Sequence, residues 1–86
     1  MRNIKEEVDQ FFRILTRECP GIEGKIEYNL TVSHYPANVY DLDITFPSKF
    51  RDKVYSLSKF CGLVFTHEYN LHSQELCTFQ SDAQFF

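Results

Sequence analysis

Two short runs of strict alternation constrain this chain more than any other feature. From Lys25 to Ser33 the apolar residues Ile26, Tyr28, Leu30 and Val32 interleave with Lys25, Glu27, Asn29, Thr31 and Ser33; from Val39 to Phe46, Tyr40, Leu42, Ile44 and Phe46 interleave with Asp41, Asp43 and Thr45. A period of two places alternate side chains on opposite faces of an extended backbone, so each run reads as a strand with one face for a core and one for water. The intervening His34-Tyr35-Pro36-Ala37-Asn38 is turn-forming. It predicts a hairpin that pairs Val32 with Tyr40, Leu30 with Leu42, Tyr28 with Ile44 and Ile26 with Phe46. An apolar sheet face of this kind needs a second layer to cover it.

Helical periodicity supplies that layer. Ile4, Val8, Phe11, Phe12 and Leu15 recur at helical spacing, which predicts a helix near residues 3–18 that Pro20-Gly21 ends. A second helix is expected near 48–61, with Ser48 as its N-cap, Phe50, Val54, Leu57, Phe60 and Cys61 on its apolar side and Gly62 as its stop. Leu63 to Leu71 alternates again, with Leu63, Phe65, His67, Tyr69 and Leu71 on the expected core side, and a shorter strand is expected near 75–80. That register sets His67 opposite Phe79 and Cys77 opposite Tyr69. The fold class is therefore α+β: a single domain over residues 1–86, a two-layer sandwich in α-β-β-α-β-β order, with a four-stranded antiparallel sheet and two helices on one face. Phe11, Phe12, Leu30, Leu42, Ile44, Val54, Leu57 and Phe65 are the expected core.

The order itself points to a repeated αββ unit, residues 3–46 and 48–80. Both helices end in Cys followed by Pro or Gly, and Glu27-Tyr28-Asn29-Leu30 recurs as Glu68-Tyr69-Asn70-Leu71. Four-residue matches also arise by coincidence, and the fold reading holds without a duplication.

Composition narrows the function classes. With 43% hydrophobic residues, 9 Phe and 5 Tyr, the chain has the material for a packed core. No run approaches the roughly 20 apolar residues of a membrane span, and Met1-Arg2-Asn3-Ile4-Lys5-Glu6-Glu7 carries acids where a signal peptide has its apolar stretch. A soluble, cytoplasmic chain is expected, with Cys19, Cys61 and Cys77 as thiols. The net charge of −3 argues against a dedicated nucleic-acid binder. Lys49, Arg51, Lys53 and Lys59 do, however, gather in the second helix, which leaves a nucleic-acid or nucleotide-associated protein, contacting phosphates through that helix, as the alternative.

Candidate chemistry is sparse. The His and Cys residues lack metal-chelating spacing, so no metal and no cofactor is expected. His67 beside Cys77 is the nearest approach to a base and nucleophile, and a small hydrolase-like enzyme built on it is a third reading behind a non-enzymatic one. Asp41 and Asp43 share a strand face, with Glu27 and Glu68 expected on neighbouring strands of the same face. That acidic face and the terminal Phe85 and Phe86 are the candidate partner-binding residues of a small protein-binding or inhibitory module, of the immunity, antitoxin-like or phage-encoded inhibitor type. Another protein is the expected partner, with a homodimer as one form of it.

Overall fold

The structure, a computed structural model, describes residues 3–35 and 37–84, with the side chains of His72, Asp82, Ala83 and Gln84 excepted. It contains helices α1 (Ile4–Glu18) and α2 (Arg51–Phe60) and strands β1 (Glu27–Ser33), β2 (Val39–Pro47), β3 (His67–Leu71) and β4 (Leu76–Gln84). The four strands form one antiparallel sheet in the order β1-β2-β4-β3, with both helices against a single face. This is the α+β fold that the two periodicities predict.

The apolar parity of the strands explains the layering. Tyr40, Leu42, Ile44 and Phe46 of β2 and Cys77 and Phe79 of β4 are buried, and they meet Ile4, Val8, Phe11 and Leu15 of α1 and Val54 of α2. Ile22 and Leu63, both in loops, complete this core; the alternation puts Leu63 on the core side, whereas sequence periodicity gives no signal for Ile22. Phe12, Leu30, Leu57 and Phe65, expected in the core, are only partly buried at its margin.

Local chemistry sets the helix ends. Asn3 Oδ1 accepts from the Glu6 N–H at 3.3 Å and caps α1. At the end of α2 the Gly62 N–H bonds Lys59 O at 3.1 Å and the Leu63 N–H bonds Ser58 O at 2.9 Å, with Gly62 at φ +77°. These two bonds close a Schellman motif, and the positive φ is why a glycine stands there. Ser48 is not the cap that was expected. A 3₁₀ turn over Ser48–Phe50 precedes α2, and the Ser48 hydroxyl and N–H both donate to Glu75 O, at 3.0 and 2.9 Å.

The first hairpin has the expected register, with Val32 opposite Tyr40, Leu30 opposite Leu42 and Tyr28 opposite Ile44. Only the Ile26–Phe46 pair falls outside the ladder, because β1 starts at Glu27. The second hairpin differs from expectation by one residue. The Thr66 N–H donates to Gln80 O at 2.8 Å, yet the Cα partner of Gln80 is His67, so two residues of one strand face one of the other. Such an extra residue is a β-bulge, and it reverses the side-chain parity of everything beyond it. Phe65 therefore packs against the core, and Glu68, not His67, is the next side chain on the helix side, opposite Phe79. Before the bulge, the chain is pinned by side chains instead of a ladder: the Val64 N–H donates to Tyr40 Oη at 3.2 Å and Val64 O accepts from Ser81 Oγ. Strand β3 accordingly begins at His67, where Leu63 was expected.

The strand order is symmetric under exchange of the two αββ units, since β2 and β4 lie at the centre and β1 and β3 at the edges. The repeated tetrapeptide does not follow that symmetry. Tyr28 shares the helix side with Ile44, while Tyr69 lies opposite Thr78 on the open side.

Candidate functional site

One face of the sheet carries the helices and the other is open. Row by row the open face holds Thr31, Asp41 and the Asp82 position; then Asn29, Asp43, Gln80 and His67; then Glu27, Thr45, Thr78 and Tyr69; and at the far end Pro47, Leu76 and Leu71. Thr45 Oγ1 and Thr78 Oγ1 share a 2.9 Å hydrogen bond across the centre. Beside it the rings of His67 and Tyr69 lie 6.4 Å apart and nearly parallel, at 6°. Half of the Tyr69 surface is exposed, and Leu71 is exposed to a similar degree. The face thus carries the carboxylates Glu27, Asp41 and Asp43 on β1 and β2 and the aromatic and aliphatic groups His67, Tyr69 and Leu71 on β3.

Three of the candidate acids, Glu27, Asp41 and Asp43, lie together on this face as expected from the first hairpin. Asp43 stands out among them: its Oδ1 is buried and has no hydrogen-bond partner among the described residues. A carboxylate oxygen removed from water without a compensating donor costs free energy, and a donor arriving from outside would remove that cost.

Glu68 is a correction. The bulge turns it to the helix side, where the Arg51 guanidinium grips it with two bonds, Nε to Oε2 at 2.9 Å and Nη2 to Oε1 at 2.7 Å. This fork-on-fork geometry holds the Glu68 carboxyl below its ordinary range, because Arg51 hydrogen-bonds the charged form. Glu68 is therefore spent on an internal clamp between α2 and β3. Phe85 and Phe86 lie outside the described residues.

The base-and-nucleophile pairing is likewise not assembled. His67 points to the open face, with Nδ1 2.9 Å from Thr66 Oγ1, whereas Cys77 is buried on the helix side with Sγ 3.9 Å from Glu68 Oε2. Burial, followed by the Glu68 charge, pushes the Cys77 thiol up to about 11, so it stays protonated at neutral pH. Among the described residues no group of three or more His, Cys, Asp and Glu is placed to hold a metal ion.

The basic residues of the second helical segment all contact neighbouring side chains, although Lys49, Lys53 and Lys59 are exposed. Arg51 bonds Glu68 and Asp52 and lies over Tyr55 and Phe79, Lys53 Nζ reaches Glu18 at 4.0 Å, Lys49 lies over the Phe50 ring and Lys59 over the Tyr55 ring. Each cation has a partner within the chain, which lowers its availability to phosphate. Among the described residues no helix is long and apolar enough to cross a membrane. Comparison with known protein families, curated proteins and solved structures finds no match.

Proposed function

We propose that this chain is a non-enzymatic protein-binding module, blocking or assembling its partner through the open face of the sheet. The observation that carries this reading is the uncovered face itself, with Glu27, Asp41 and Asp43 grouped on it and Asp43 Oδ1 lacking a donor. A partner that presents a lysine or arginine beside an apolar group fits the carboxylates on β1 and β2 together with Tyr69 and Leu71 on β3. The cytoplasm suits such a module, since Cys19, Cys61 and Cys77 are all free thiols. The alternative, phosphate binding by the basic helix, loses ground to the internal pairing of its four cations.

The test is affinity capture from the native source with three forms of the full chain. Wild type and a Lys49→Ala/Lys59→Ala variant should retain the same protein partner, and Asp41→Asn/Asp43→Asn should lose it. A partner lost with the lysines and kept without the aspartates would move the function to α2. Nucleic acid recovered in place of protein would sink the reading altogether.

A further inference from the structure

The two edges of the sheet are unlike. Strand β3 is short, with five residues, and is interrupted at its start by the bulge; both features blunt an edge against pairing. Strand β1 runs seven residues, pairs regularly with β2 throughout and contains no Pro, Lys or Gly. Its outer row of amides and carbonyls is an unblunted template.

The side chains along β1 are only half covered. Tyr28 lies on the helix side with its ring 4.4 Å from that of Phe12, yet 55% of its surface is exposed, and Leu30 and Val32 are partly buried. Helix α1 stops short of this edge. A groove of about 420 Å³ lies between them, lined by Lys5, Val8, Asp9, Tyr28, Asn29 and Leu30.

We infer that β1 pairs antiparallel with β1 of a second copy of this chain about a two-fold axis at Leu30, joining two sheets into one. The occupant is argued from self-complementarity. About that axis Leu30 meets Leu30 and Tyr28 meets Val32 on the helix side, while Asn29 meets Thr31 and Glu27 meets Ser33 on the open side. No like charges stand opposite one another, and the apolar row continues across the junction. The groove walls agree: Lys5 and Asp9, one helical turn apart, line this groove together with Leu30, so the two-fold pairing offers each Lys5 an Asp9 of the other copy. The paired sheet sets two acidic open faces side by side, a bivalent platform. The pairing is made by the backbone edge of β1 and shares only Glu27 with the proposed open-face site, whose Asp41 and Asp43 lie on β2, so the two readings are tested by different variants.

Sedimentation equilibrium on the full chain tests it. Wild type should reach twice 10.2 kDa. Tyr28→Lys should raise the concentration for half-dimerisation roughly tenfold or more, and Tyr69→Lys on β3 should leave it unchanged. Lys5→Glu should weaken the dimer, and Lys5→Glu/Asp9→Lys should recover it. Amide hydrogen exchange on wild type needs no variant, and protection in residues 27–33 should rise with protein concentration while residues 67–71 do not change. A wild-type monomer at all concentrations, or a dimer that Tyr69→Lys breaks and Tyr28→Lys spares, would overturn the inference.

Discussion

The two hairpins are built from the same elements and differ by one residue. In the first, β1 and β2 alternate without interruption, so Leu30, Leu42 and Ile44 face the helices while Asn29, Asp41 and Asp43 face away. In the second, Thr66 and His67 both face Gln80, and the strand beyond them is turned over. One inserted residue therefore decides that His67 and Tyr69 join the open face and that Glu68 leaves it. Register is strongly specified where one face is buried, and a bulge is the economical way to change which side chains that face receives.

Core truncations should produce the largest effects and test whether the two hairpins share one core. Leu42→Ala in the first and Phe79→Ala in the second should each cost about 3–5 kcal/mol in urea melts, because both side chains are fully buried. Asp43→Ala should cost little or stabilise, since its Oδ1 lacks a donor. A mild Phe79→Ala would separate the second hairpin from the core.

The segment before the bulge should be the next most sensitive. Ser81→Ala removes the hydroxyl that donates to Val64 O, and Tyr40→Phe removes the acceptor of the Val64 N–H. Each should cost about 1–3 kcal/mol, the range for a half-buried backbone group left unpaired. Equal indifference to both would show that residues 63–66 are held by something other than these side chains.

A smaller effect of opposite sign is expected in the β3–β4 turn. Glu75 sits at φ +54°, a left-handed conformation that side chains other than glycine resist, and its carbonyl is fixed there by Ser48. Glu75→Gly should raise stability by about 1 kcal/mol as measured by urea melts. A loss of stability would mean that the Glu75 side chain contributes more than its backbone conformation costs.

The smallest effect distinguishes Glu68 from the open-face acids. Arg51 lowers the Glu68 pKa in the folded state, so its contribution is complete above the unfolded carboxylate range and disappears as pH falls through the lowered value. The difference in Tm between wild type and Glu68→Gln should accordingly be constant near neutral pH and close below about pH 4. A difference that persists in acid would reject the clamp as its source.

Much of this architecture was legible in the residues. Tyr28 to Val32 and Tyr40 to Phe46 alternate cleanly, and their parity alone puts Glu27, Asp41 and Asp43 on one face. The bulge was not legible because Leu63, Phe65, His67, Tyr69 and Leu71 alternate across it as though nothing intervened, with no glycine to mark the extra residue. Glu68 looked like a surface acid because its partner, Arg51, comes from a different element 17 residues away. Ile22 entered the core from a loop, where no periodicity exists to announce it.

The side to which β3 turns determines which groups a partner on the open face can meet, and NMR reads it directly. Nuclear Overhauser contacts from the Tyr69 ring to the methyl of Thr78, together with contacts from the Glu68 side chain to Arg51, are the result expected from the bulged register. Contacts from the Tyr69 ring to Phe65 or Tyr55 would place it on the helix side and contradict the account.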